Sequence, residues 1–161
     1  MSTDNLAAAR VASLHLHPAE PGAPLASVDM VELVQDKGIR GDARYFGRAG
    51  KSPSEPFLRQ VSLIEREQVA NHAGALGLES IPPGAVRANI ETVGVELVPL
   101  LGQEVEIGEA RLFLYTPRDP CAKMDALCQG LRERMMNRRQ GVLAQVRRSG
   151  KIRFGDLIRP V

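Results

Sequence analysis

The stretch Gln103–Tyr115, "QEVEIGEARLFLY", sets the fold class of this chain. Val105 and Ile107 alternate with glutamates, and Leu112–Tyr115 forms a second apolar-rich run. Alternation at period two is the signature of a strand, and the Gly108-Glu109 pair between the runs supplies a tight turn. The same period recurs on both sides. In "RVASLHLH", Ala12, Leu14 and Leu16 share one face while Ser13, His15 and His17 share the other. No third ligand stands beside these two histidines, so they read as surface residues. "SVDMVELV" reads as a strand apolar on both faces for much of its length, and "QVSLIE" as another. "PPGAVRANIETVGVELVPLLG" is extended, and "GVLAQVRRSGKIRFGDLIRPV" reads as a hairpin turning at Ser149-Gly150 plus a short last strand.

Two segments change to helical spacing. In "EREQVANHAGAL", Val69, Ala73 and Leu76 fall on one face, His72 lies on the helix surface, and Gly77 ends the run. A second helix begins near Pro120, with Met124, Leu127, Leu131 and Met135 along one stripe. Strands that do not alternate with crossover-length helices disfavour a doubly wound α/β fold. The expected class is mainly β (α+β), an antiparallel β-barrel or a β-sandwich with two or three short helices. At 161 residues, one domain spanning 1–161 is expected. Asp36–Arg59, which contains "GIRGDARYFGRAGKSPSEP", reads as a long loop, and such loops tend to carry function.

Composition excludes several classes. Aromatic residues make up 4% of the chain and Trp is absent, which weakens a base-stacking nucleic-acid platform. A formal net charge of +2 is too small to imply a polyanion partner. The arginines from Arg132 to Arg148 read as a solvated face, as do Arg40, Arg48, Lys51 and Arg66. No apolar run approaches the roughly 18 residues of a membrane span. The N-terminus shows no basic start followed by an apolar stretch, so a cytoplasmic location with free thiols is expected.

Both cysteines fall in "TPRDPCAKMDALCQG", Thr116–Gly130. "RDPC" places Asp119 at a helix N-cap, Pro120 at the first helical position and Cys121 in the first turn. A thiol there meets the positive end of the helix dipole and free backbone N–H groups, both of which favour thiolate. On this ground alone Cys121 is open to a structural or a reactive role. Cys128, about 10 Å further along the axis, is too distant for a disulfide within one helix. It joins the packing stripe as a small hydrophobe.

Six segments then occur in order: "KGIRGDAR" (37–44), "RQVSLIE" (59–65), "RANIETVGVEL" (87–97), "LLGQEVEIGEARL" (100–112), "TPRDPC" (116–121) and "GKIRFGDLI" (150–158). Together they resemble the MOSC domain, the C-terminal domain of molybdenum cofactor sulfurases, in its stand-alone bacterial form, from about residue 25 onward. The resemblance implies a mostly antiparallel β-barrel. It implies that Cys121 either ligates the molybdenum of a molybdopterin cofactor or carries sulfur as a persulfide. A phosphate-bearing pterin asks for arginines and bare backbone amides. Lys37, Gly38, Gly41, Asp42 and Arg44 of the first motif, with Arg59, are expected to supply them. Arg87 and Asn89, two apart on an extended segment, are expected on one face, the Arg for phosphate and the Asn for the pterin edge. Thr116 and Arg118 are expected along the same pocket. For Asp42 a loop-capping role stands beside the binding one.

The implied activity is reduction of an N-hydroxylated small-molecule substrate by a Cys-ligated molybdenum, fed by a separate reductase. The alternatives are a sulfur-carrier module served by a cysteine desulfurase, and a non-catalytic barrel for an anionic ligand. Neither nucleic acid nor a membrane is an expected partner. The His-Gly-Gly that many relatives carry after the Gly-Asp motif is replaced here by "GDARYFGRAG". The desulfurase domain of full-length sulfurases and the N-terminal extension of amidoxime-reducing relatives do not accompany these motifs. A cofactor in this domain is therefore expected to be more exposed, or covered by a partner.

Overall fold

Alternating side chains do become paired strands in the computed structural model, which describes residues 8–161. Residues 1–7, at the start of the segment judged free of a secretory signal, lie outside the described residues. Strand β7 (Glu104–Ile107) and strand β8 (Ala110–Pro117) pair antiparallel through the Gly108-Glu109 turn. Val105, Ile107, Leu112 and Leu114 are buried, as period two requires. Around them run β1 (Arg10–Leu16), β2 (Ala26–Val28), β5 (Val61–Glu65), β6 (Ile90–Val93), β9 (Val142–Arg148) and β11 (Ile158–Pro160). These eight form one sheet in the order β11-β7-β8-β9-β5-β6-β1-β2. A smaller sheet, β10-β3-β4, is built from β3 (Met30–Val34), β4 (Gly38–Ile39) and β10 (Gly150–Arg153).

The fold is thus mainly β with three short helices among the described residues. The ladders, however, do not close into the antiparallel barrel expected from the sequence. The larger sheet ends at β11 and β2, and β5 pairs parallel to β6. β1 is taken up by β2 and β6 along most of its length, and meets the β11 side at its first residues. There Arg10 bridges Leu157, and the Ile158 amide donates to the Ala9 carbonyl at 3.0 Å.

A second correction concerns β9 and β10. They are not a hairpin: β10 pairs with β3, and the chain changes sheets at Ser149. Crossing over places Ile152 opposite Val31, and both are buried in the main core. "SVDMVELV" is likewise divided at Asp29 into β2 and β3, which belong to different sheets.

Helix α1 (Arg66–Ala75) matches its sequence pattern, with Val69 and Ala73 buried and Gly77 in the left-handed region at φ 75° just past its end. His72 is buried rather than on the surface. Its Nε2 lies 2.9 Å from the Arg139 carbonyl oxygen, and burial lowers its pKa. The expected second helix is shorter and broken. Helix α2 covers Lys123–Leu127 and helix α3 covers Leu131–Arg134, with Gly130 between them at φ 92°. Met124, Leu131 and Met135 do pack with α1 and Ile64 in a second apolar cluster, and half-buried Cys128 joins them. Leu127 leaves the stripe and is 41% exposed. No helix among the described residues is long and apolar enough to cross a membrane.

Candidate functional site

Six chain segments, one of them bringing Gln140 just ahead of β9, converge on one cavity of about 160 Å³. His17 follows the end of β1, and Arg44 and Tyr45 follow β4. Arg59 precedes β5, Arg87 precedes β6, and the segment from Arg118 to Met124 leaves β8. Cys121 lies in the lining with its side chain exposed. It stands two residues before α2 rather than in its first turn. Its carbonyl oxygen accepts from the Met124 amide at 3.0 Å, so that amide is used by the turn itself. The helix-end argument therefore does not describe this thiol. What surrounds it is positive charge: Arg44, Arg59, Arg87, Arg118 and Lys123 share the lining with a single acid, Asp119.

Arg118 is the most buried of these cations, at 7% exposure. Its Nη2 donates to the carbonyl oxygens of Val86 at 2.9 Å and Arg87 at 3.1 Å. The Arg118 amide donates to the Gly141 carbonyl, fixing the chain between β8 and the cysteine. Burial, with the charge of Arg59 next, lowers its guanidinium to about 10, while Tyr45 and Cys121 act in the opposite sense. Arg59 lies over the Tyr45 ring at 5.1 Å from its centroid, and Arg44 at 5.5 Å. Buried Arg118 Nη1, Arg59 Nε and Arg87 Nε have no hydrogen-bond partner among the described residues.

Behind the cavity lies a polar hub centred on Asp42, which is buried. Its Oδ2 accepts from the His17 amide at 3.0 Å, from His17 Nδ1 at 2.8 Å and from Asn89 Nδ2 at 2.9 Å. Its Oδ1 accepts from the amides of Arg44 and Tyr45. Burial alone would raise its pKa, but the hydrogen bonds, led by the His17 ring, hold it at about 2. His17 Nε2 is 3.1 Å from the Arg87 carbonyl oxygen, so the ring is fixed at both ends. Asn89 Oδ1 accepts from the amide and hydroxyl of Ser62. Asn89 therefore ties β5, β1 and the Asp42 loop together, with no place in the cavity lining.

Among the sequence-selected residues, Cys121, Arg44, Arg59, Arg87 and Arg118 line the cavity together. Lys37, Gly38, Gly41, Asp42, Asn89 and Thr116 are not in its lining. Lys37 is exposed in a turn, and Gly38 at φ 109° passes so close to Gln60 that a side chain has no room. Gly41 at φ 89° makes the turn into Asp42, and Thr116 stays in β8 opposite Leu143. Arg87 and Asn89 do not share a face, because Arg87 has φ 67° and the segment is not extended there. His17, Tyr45, Lys123 and Gln140 are lining residues that the sequence reading did not select. A histidine one residue past the end of β1 is the available sign for His17, whereas period two places it with the solvent-facing side chains.

His15 is also buried, in a separate network against Glu91, Arg66 and Ser13. Burial lowers its pKa, with Glu91 opposing. Glu91 Oε2 accepts from the Gly84 amide at 2.7 Å, which holds the loop that leads to Arg87. Gly84 has φ 82°, and a Cβ there would come within 2.8 Å of His15 Nδ1. Gly84→Ala is expected to destabilise the fold by about 2 kcal/mol, read as a lower urea midpoint at unchanged slope. An unchanged midpoint would show that the loop gives way freely.

A family model, the MOSC domain, matches residues 26–159. No curated protein sequence matches the chain significantly. Among solved structures, YuaD from Bacillus subtilis is similar at TM-score 0.78 and 22% identity, with 93% of each chain covered. YiiM from Geobacillus stearothermophilus is similar at TM-score 0.69 and 16% identity, covering 95% of this chain and 75% of that one. YiiM from Escherichia coli gives 0.67 and 21%, covering 94% of this chain and 69% of that one. At these identities the structural likeness speaks for the fold, and the family model speaks for the sequence across most of its length. The chain belongs to the MOSC domain family.

Proposed function

We propose that this chain binds the molybdenum cofactor, with the anionic end of molybdopterin among the arginines and the Cys121 sulfur offered to the metal. The observation that carries this reading is an exposed thiol sharing one cavity with five cationic side chains. Three buried guanidinium N–H groups there lack partners among the described residues, which suits an anion with several acceptor oxygens. The cavity's volume suits a phosphate or a single ring. A second cavity of about 290 Å³ shares His17, Arg44, Arg87 and Lys123 with it and provides further room. Among the described residues no three His, Cys, Asp or Glu side chains group as a metal site. A metal at Cys121 would thus bring its other ligands with it, as a pterin-bound metal does.

When bound, the cofactor supplies a redox-active metal. The chain's own residues bind and orient. Arg118 is held rigid by two carbonyls and presents its remaining N–H groups. Arg59 and Arg44 are steered by the face of Tyr45. His17 is fixed by Asp42 on one side and the Arg87 carbonyl on the other. Reduction of N-hydroxylated small molecules, with electrons from a separate reductase, is the reaction we assign to this site. Cytoplasmic residence, where thiols stay reduced, goes with it.

The exposure of Cys121 favours a second reading, a persulfide carrier loaded by a cysteine desulfurase, since a protein donor must reach the sulfur. A non-catalytic anion-binding role is the third. Expression with molybdate and an intact pterin pathway, followed by metal and mass analysis, separates them. About one molybdenum per chain, falling below one tenth in Cys121→Ser, is expected. Absent metal with a persulfide mass on Cys121 selects the carrier, and neither signal leaves the anion-binding reading.

A further inference from the structure

Arg87 borders a third cavity, of about 350 Å³, whose character is different. Its walls are Pro24 and Leu25 on one side and Pro82, Pro83 and Ala85 on the other, with Leu127 beside them. Leu127 is the residue that left the packing stripe of α2, and it is 41% exposed. Fixed proline φ angles make both walls stiff. The Gly84 amide is held from behind by Glu91, and Arg87 Nη1 donates across the cleft to the Ala23 carbonyl at 3.0 Å. One arginine thus ties the two walls together while also lining the cavity of Cys121. The cleft is preformed and apolar, carries a cation at its boundary, and falls in the range of roughly 300–1,000 Å³ typical of small-molecule sites.

We propose that this cleft is a binding subsite for the ring-bearing end of a small aryl anion, whose acidic group is met by Arg87 at the boundary with the Cys121 cavity. Apolar walls between prolines and leucines desolvate a flat ring, and charge complementarity at Arg87 selects an anionic over a neutral ligand. The assignment of this ligand as the substrate's side of the site rests on the reading of Cys121 as the reacting end. Binding itself does not.

The test is equilibrium dialysis of cofactor-free full-length protein against 2-naphthoate, with methyl 2-naphthoate as the neutral comparison. One equivalent of naphthoate is expected to bind, and the ester about tenfold more weakly. Leu127→Ser and Leu25→Ser each lose about fivefold in affinity and the double variant about twentyfold. Leu127 and Leu25 are not core residues, so the variants fold, and a thermal melt superimposable on wild type verifies this. Naphthoate affinity indifferent to both leucines overturns the proposal, and an ester binding as tightly as the acid overturns the role of Arg87. Molybdenum content is measured separately, so failure of the cofactor reading leaves this result standing.

Discussion

Asp42→Ala is expected to lower the stability of the fold by about 4 kcal/mol, a loss set by breaking a buried, fully bonded charge. One carboxylate accepts five hydrogen bonds, from three backbone amides and two side chains. Removing it leaves buried donors on His17 just past β1, on the loop after β4 and on Asn89. Each such orphan costs about 1–3 kcal/mol, and the sum is reduced where the loop relaxes. The pH dependence has a defined sign. The native pKa of about 2 lies below the ordinary 3.8, so the stabilisation is fully present above about pH 5 and is lost as pH falls toward 2. The shift corresponds to about 2 kcal/mol. Urea midpoints of wild type and the non-titrating Asp42→Asn, taken from pH 7 to pH 3, isolate it. The two curves are expected to converge as the pH drops. Parallel curves, or an Asp42→Ala protein within 1 kcal/mol of wild type, would remove Asp42 from the centre of the fold.

That carboxylate also shows what the sequence could and could not reveal. "KGIRGD" marked Asp42 as a residue of interest, with capping kept beside binding as its role. Its partners lie 25 and 47 positions away, and no local pattern identifies such pairings. Strand periodicity was legible where it was uninterrupted, as in β7 and β8. It failed in β1, which is covered on both faces: adjacent Leu14 and His15 are both buried. His15 and, just past the strand, His17 take the face opposite Leu14, where they meet Glu91 and Asp42 rather than solvent. Period two sorts side chains between two faces without saying which face is covered, so both histidines are misplaced for the same reason.

The helix after Pro120 failed for a different reason. The apolar stripe is present, and three of its four members are buried in one cluster. Gly130 was a visible stop signal inside it, and the chain does turn left-handed there. Ending α2 early turns Leu127 out toward the proline-lined cleft. The basic and thiol residues of the cavity were legible through motif order, because Arg44, Arg59, Arg87, Arg118 and Cys121 each stand next to a recognisable strand. Their mutual approach depends on topology. The parallel β5–β6 pair and the crossing of the chain between sheets are long-range features that periodicity does not encode.

Phosphate is expected to stabilise the wild-type chain strongly and Arg118→Met hardly at all. The cavity gathers like charges with few acids, and burial with Arg59's charge already disfavours the cationic form of Arg118. An anion relieves both the repulsion and the unpaired N–H groups. Inorganic phosphate at about 100 times its dissociation constant contributes about 2.7 kcal/mol through linkage. For a chain of this length that is a rise in Tm of about 5–10 °C, read at constant ionic strength against chloride. Arg118→Met removes the most buried donor and is expected to weaken phosphate more than about 100-fold. It also lowers the baseline Tm, because the carbonyls of Val86 and Arg87 each lose the Arg118 donor. Arg59→Met provides the separation. Its side chain makes no such carbonyl bonds among the described residues, so phosphate affinity is expected to fall about tenfold with little change in baseline. Arg118→Lys keeps the charge but cannot bridge two carbonyls and an anion together, so it is expected to fall between the two. If phosphate raises Tm equally in wild type, Arg59→Met and Arg118→Met, the anion binds elsewhere, and the cationic cavity is not the seat of the cofactor's phosphate.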